Sequence, residues 1–160
     1  MIIGDGDIAQ VLPDRDDLLF FASGVSNSQE LRDSEYQREK DLLLSQDARE
    51  HIVYFSSLAI FYSNTKYTRH KLEMERRIKE KFPEYTIIRL GNITWGKNPN
   101  TLINYLKAHP DAEIQDVYRY VTDKEEFLHW INLIPDFNVE MNIPGKRMLV
   151  KEIVKEYVNA

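Results

Sequence analysis

The sequence predicts an α/β chain in which a parallel β-sheet is flanked by helices, and three observations predict it. The apolar runs are short, continuous and separated by polar, helix-compatible stretches. They lack the alternation of a sheet with one wet face, so they suit strands covered on both sides. A glycine-rich turn follows the first run directly. Strands and helices alternating in this way build βαβ units.

The elements follow in order. Residues 1–3 read as a first strand, and residues 9–12 as the start of a helix after the glycine turn. Residues 18–22 (Leu18, Leu19, Phe20, Phe21, Ala22) are a second apolar run, 51–55 a third and 85–90 a fourth. Between them, 28–46 reads as a helix carrying Leu31, Leu42, Leu43 and Leu44 among charges. Residues 65–82 read as a second helix with Leu72, Met74 and Ile78 as inner positions, and Pro83 stops it. Residues 100–108 place Leu102, Ile103 and Leu106 at helical spacing. Asp123, Glu125 and Glu126 open another helix, where the macrodipole favours acids. Residues 117–121 and 139–143 are β-compatible, and 150–157 read as a closing helix. No repeat, low-complexity tract or linker interrupts the chain, so 1–160 is expected to be one domain, with 110–160 its C-terminal portion.

Composition narrows the function. The 160 residues carry a net charge of −5 with acids and bases mixed, which argues against a nucleic-acid or membrane-surface binder. There is no cysteine, which excludes disulfides, thiolate metal sites and cysteine nucleophiles. No apolar run approaches the roughly 20 residues that span a bilayer. The start has neither a basic flank nor a long apolar stretch, so no signal peptide and a cytoplasmic location are expected. His51, His70, His109 and His129 show no metal-ligand spacing, and Trp95 and Trp130 are expected in packing and pocket-lining roles. The charged run 69–81 reads as a solvated helix face with i, i+4 pairs Glu73/Arg77 and Glu75/Lys79.

Two patterns carry chemistry. Gly4, Asp5, Gly6, Asp7, Ile8 and Ala9 match G-x-G-x-x-A between strand and helix. The first glycine permits a tight turn, the second lets backbone approach a diphosphate, and a small third residue packs helix on strand. Exposed N–H groups at the helix start would hold the diphosphate. Asp5 and Asp7 put negative charge beside that anion site, which requires both side chains to point away. No acid stands clearly about 20 positions on for ribose hydroxyls, and no arginine for a 2′-phosphate, so NAD and NADP stay open. The second pattern is Tyr67 and Lys71 at i, i+4 on one helix face. A lysine cation lowers a neighbouring phenol's pKa and fits Tyr67 for acid–base work. Tyr36/Lys40, Tyr62/Lys66 and Tyr120/Lys124 share the spacing, but Tyr67/Lys71 alone follows a strand ending in Ser56 and Ser57 and precedes a buried strand.

With these residues the chain resembles the extended or atypical short-chain dehydrogenase/reductases, the group that includes nucleotide-sugar epimerases and dehydratases. The likeness spans nearly the whole sequence: Gly4 to Ala9 as the glycine turn, Phe20 to Gly24 as a strand ending beside the cofactor, and His51 to Ser57 as the serine strand. Tyr67 to Glu75 stands as the Y-x-x-x-K helix and Ile88 to Gly96 as the strand and loop beside nicotinamide, while Tyr120 to Asp123 and Ile143 to Gly145 echo the C-terminal portion. The resemblance implies a Rossmann-like fold, truncated because few residues separate Leu12 from Leu18 where the family has two further strands and their helices on the adenosine side. It implies Ser57 as substrate orienter, Tyr67 as acid/base, and Lys71 as ribose contact and pKa modifier. It also implies NAD or NADP held by Gly4, Gly6, Asp7, Ile8, Ala9, Ala22, Ser23, Gly24, Lys71, Gly91 and Asn92. The expected activity is an oxidoreductase or epimerase acting on a small polar substrate such as a nucleotide sugar, in a homodimer paired through helices 28–46 and 65–82. The alternative is a non-catalytic binding or scaffold protein that kept the sheet and lost much of the cofactor site.

Overall fold

A computed structural model describes residues 1–159. Its main sheet has five parallel strands in the order β1 (Ile2–Ile3), β2 (Leu19–Phe21), β3 (Ile52–Ser57), β4 (Tyr85–Leu90) and β7 (Val139–Ile143). The first four therefore follow one another across the sheet in chain order. Helix α1 (Asp33–Leu44) joins β2 to β3, and α2 (Lys66–Lys81) joins β3 to β4. The path from β4 to β7 is an excursion through β5 (Asn92–Ile93), α3 (Leu102–Ala108), β6 (Tyr118–Thr122) and α4 (Lys124–Ile131). Strand β8 (Lys146–Leu149) and α5 (Val150–Ile153) then close the chain, α5 running into a π-helical turn, Val154–Val158.

Both faces of the sheet are dry, as continuous apolar strands require. Phe20, Val53, Phe55, Ile88 and Leu90 point to one face, where Phe127 and Ile131 of α4 cover them. Phe21, Ile52, Tyr54 and Ile87 point to the other, against Leu43 of α1 and Met74 and Ile78 of α2. Helix α2 is fixed at its start by a reciprocal cap. The Thr68 N–H donates to Thr65 Oγ1 at 3.2 Å, and the Thr65 N–H donates to Thr68 Oγ1 at 2.9 Å. Such a box satisfies two donors that the first turn otherwise leaves unpaired.

The structure corrects several expectations. The helix after the glycine turn is a single 3-10 turn, Ala9–Val11. Pro13 explains this: it forces the residue before it out of the helical region, and Leu12 is extended at φ −68°, ψ 140°. Helix α1 begins at Asp33 rather than at residue 28, because Asn27 holds the preceding segment in a turn, its Oδ1 accepting the Gln29 N–H at 3.0 Å. Leu72, expected inside, is 49% exposed, while Met74 and Ile78 are fully buried. Glu73 pairs with Arg77 at 3.1 Å as expected. Glu75 does not pair with Lys79: it faces inward to Arg89 at 2.5 Å, and Lys79 reaches Glu140. The segment from residue 92 onward also builds a separate three-stranded sheet, β5-β6-β8, in which β6 and β8 are antiparallel. Its covered face packs Val121 and Met148 against Ile103 of α3 and Ile153 of α5.

Phe127 locks α4 to the sheet between Phe55 and Trp95, at centroid distances of 5.8 and 5.3 Å. Truncating a buried phenylalanine costs transfer energy and leaves a cavity, so Phe127→Ala is expected to lose about 3–5 kcal/mol in urea denaturation. Phe137, 66% exposed, is the control: its alanine variant should stay within about 0.5 kcal/mol of the parent.

Candidate functional site

Parallel strands end on a common edge, and the carboxyl ends of β1 to β4 carry the residues singled out above. Gly4 follows β1 with φ +118°, a conformation that side-chain-bearing residues rarely adopt. A side-chain carbon there would lie 2.3 Å from the Ala22 carbonyl oxygen, so Gly4 lets the first strand's end touch the second's. Gly6 is exposed, and nothing lies within 4 Å of where its side chain would begin, which leaves its backbone approachable. Asp7 points away from that opening. Its carboxylate accepts the Lys97 and Asn98 N–H groups, each at 2.9 Å, and its carbonyl accepts Trp95 Nε1–H at 3.1 Å. The glycine turn is thereby tied to the loop after β5. Ile8 packs at the edge of the core and Ala9 is buried, while the 3-10 turn they enter is too short to present a helix N-terminus.

At the end of β2, Ala22, Ser23 and Gly24 are half-buried. Arg38 Nη1 of α1 donates to the Ser23 carbonyl at 3.0 Å and to Ser23 Oγ at 3.2 Å. Gly24 makes a close approach to α2: a side-chain carbon there would come within 2.8 Å of Lys71 Nζ and 3.1 Å of Glu39 Oε1. At the end of β3, Ser56 is buried and donates to Glu75 Oε2 at 2.6 Å, whereas the half-buried Ser57 accepts the Ala59 N–H at 3.1 Å. After β4, Gly91 abuts Tyr120 and Asn92 Nδ2 donates to the Tyr120 carbonyl at 3.0 Å, which fastens the small sheet to the main one.

The structure brings Tyr67 and Lys71 together, with Lys71 Nζ 5.5 Å from the Tyr67 ring centroid. Lys71 is also committed elsewhere. Only 3% exposed, its ammonium donates to Tyr54 Oη at 3.2 Å and to the Phe55 carbonyl at 3.4 Å, and it lies 3.8 Å from Glu39 Oε1. Glu39 is wholly buried. It accepts the Val25 N–H at 2.6 Å and the Tyr54 hydroxyl at 2.5 Å, and His70 Nε2 lies 3.2 Å away. Burial pushes the Glu39 carboxyl up, but the Lys71 ammonium, His70 and the Tyr54 hydroxyl outweigh it and hold the group down at about 2. Burial, then the Glu39 charge, push the Tyr54 phenol well above its ordinary value.

Sequence reasoning missed Glu39, Tyr54 and His70. A signal existed for the first: Tyr36, Glu39 and Leu43 form the buried stripe of α1, so Glu39 is a charge on an apolar face. Among the described residues no group of three or more acids and histidines is placed to hold a metal ion, and no helix is long and apolar enough to cross a membrane.

No family model and no curated protein matches the chain. Solved structures do. The Bordetella bronchiseptica enzyme WbmG in complex with NAD superposes with a TM-score of 0.63 at 16% identity, covering 90% of this chain and 56% of that one. UDP-N-acetylglucosamine 4-epimerase from Methanobrevibacter ruminantium, in complex with UDP-N-acetylmuramic acid, gives 0.63 at 16% identity, covering 94% and 62%. UDP-glucose 4-epimerase from Thermotoga maritima, with UDP-glucose, gives 0.55 at 12% identity, covering 87% and 59%. The chain thus spans little more than half the length of these three structures.

The Glu39 carboxyl sits below its unfolded value of 4.5, so its contribution to stability is complete above about pH 4.5 and is lost as pH falls toward 2. Removing one partner of a buried pair strands the other charge, so Glu39→Ala should lose about 3–5 kcal/mol at neutral pH and flatten the acid limb of the pH–stability curve. At these identities the likeness is one of fold: the chain shares with these structures a Rossmann-like, mostly parallel sheet flanked by helices, matched over part of their length.

Proposed function

We propose that the chain is an NAD(P)-dependent oxidoreductase or epimerase of short-chain dehydrogenase/reductase type, acting on a small polar substrate such as a nucleotide sugar. One observation carries this reading. The open glycine turn after β1 and the Tyr67–Lys71 pair belong to one edge of the sheet, bridged by Gly24, which touches Lys71. In this reading the backbone of Gly4 and Gly6 faces a diphosphate, and Ala22, Ser23, Gly24, Gly91 and Asn92 border the ribose and nicotinamide. Asp7 clears the anion by turning its carboxylate onto the Lys97 and Asn98 amides. Ser57 orients the substrate oxygen and Tyr67 exchanges its proton, with the Lys71 ammonium beside the phenol ring. A bound nicotinamide dinucleotide would supply hydride transfer.

We further read residues 1–160 as one Rossmann-like unit in the cytoplasm, and as a homodimer paired through α1 and α2. Leu31, Leu44 and Leu72, 76%, 42% and 49% exposed in and beside those helices, support that pairing. The second reading, a binding or scaffold protein without turnover, is favoured by the sheet's ending at the two-residue β1 and by the commitment of Lys71 to Glu39.

Calorimetric titration with NADH and NADPH distinguishes the two readings. Binding of either at up to millimolar concentration is expected, and no heat with either would remove the enzyme reading. Where turnover is found, Tyr67→Phe should lower it by about 10²–10⁴-fold, the usual contribution of a positioned proton donor. Turnover unchanged in that variant would remove Tyr67 from the chemistry.

A further inference from the structure

We propose that Glu39 is a positioning residue for the Tyr67–Lys71 pair: its buried carboxylate anchors the Lys71 ammonium beside the Tyr67 ring and offsets part of that cation's charge, so that it governs the pH at which the pair gives up its first proton. The inference rests on the reading of Tyr67 and Lys71 as the acid–base pair.

Three features of the cluster support it. First, the anchor is fully built. Glu39 has the Val25 N–H and the Tyr54 hydroxyl as donors at 2.6 and 2.5 Å, so the carboxylate cannot swing away from Lys71 without breaking both. Second, Lys71 has no comparable alternative. Its other contacts are a hydroxyl at 3.2 Å, a carbonyl at 3.4 Å and the faces of the Tyr54 and Tyr67 rings, none of them a charged group, and it is only 3% exposed. Third, stability alone does not account for the arrangement. A buried ion pair adds little over apolar side chains of the same volume, and its desolvation often costs more than its attraction returns. Buried charges of this kind gather where protonation is being controlled.

The sign of the effect follows from charge alone. The groups around the pair are Tyr36 from α1, Tyr54 from β3, Tyr62 from the loop after β3, and His70 and Glu75 from α2. Burial, first among the causes, pushes the phenols of Tyr36, Tyr54 and Tyr62 above their ordinary values, which favours their neutral forms. Glu39 is then the negative charge directly on the ammonium, and Glu75 is spent on Arg89. Replacing Glu39 by a neutral isostere removes one negative charge beside two coupled groups, which lowers the pH of their first proton loss whichever group loses it.

The test uses the whole chain with no cofactor, labelled at the tyrosine Cζ and lysine Cε carbons and titrated by NMR, with Tyr67→Phe and Lys71→Met spectra for assignment. In Glu39→Gln the first midpoint of the Tyr67–Lys71 pair should fall so that its acid dissociation constant rises at least threefold. A midpoint unchanged at both probes in the folded variant overturns the proposal. Glu39→Asp, which keeps the charge but withdraws it from Lys71, should give a smaller change in the same direction. It serves as the readout where Glu39→Gln does not fold, and an unchanged midpoint there counts equally against the proposal. A residue that only held the fold together would lower the melting temperature without moving either resonance. The titration involves neither NADH nor turnover, so its failure is distinct from a failure of the enzyme reading.

Discussion

Four parallel strands that succeed one another across the sheet in chain order must end on one edge, and every residue of the candidate site is tied to that edge. Gly4 leaves β1, Ala22 to Gly24 leave β2, Ser57 ends β3, and Gly91 and Asn92 leave β4. Helix α2 begins just after β3, so its first turns bring Tyr67 and Lys71 back over the same edge. Ligands of open parallel sheets bind outside the carboxyl ends of the strands for this reason. The two dry faces then hold the strands in register: α4 on one side, α1 and α2 on the other.

Charge is distributed unevenly along that edge. At the β1 end the glycine turn is open to solvent, and Asp7 turns its carboxylate away from the opening onto two backbone amides of the neighbouring loop. Around β3 the opposite holds, with an ammonium and a carboxylate sealed together beneath a phenol. The low dielectric of such a site makes each contact stronger and each unpaired group more costly. The cluster is therefore tightly coupled: a change at Glu39 is felt at Lys71, Tyr54 and His70 together.

Much of this was legible in the sequence, for physical reasons. Runs such as Ile52–Ser57 and Tyr85–Leu90 carry apolar residues toward both faces, and their shortness and alternation with helical stretches suit parallel strands covered on both sides, so the main sheet reads directly. Glycine at Gly4 and the spacing of Tyr67 and Lys71 are local facts that survive folding. What was hidden is relational. Pro13 cuts short the helix after the glycine turn, an effect on backbone angles that composition does not weigh. The small sheet is built from a two-residue strand and from Lys146–Leu149, whose exposed Lys146 and Arg147 mask its pairing with β6. The spacing of Glu39 from Tyr36 and Leu43 marks its side of α1, but its partners Tyr54 and Lys71 lie on other elements and come together with it only on packing.

The central claim is that the glycine turn and the Tyr67–Lys71 pair form two walls of a single ligand site. Amide NMR of the uniformly 15N-labelled chain on addition of NADH tests it most directly. The account predicts saturable shifts, with one common midpoint, for the amides of Gly4 and Gly6 and for those of Gly24 and Tyr67. Shifts confined to one of these groups, or distinct midpoints for the two, would contradict it.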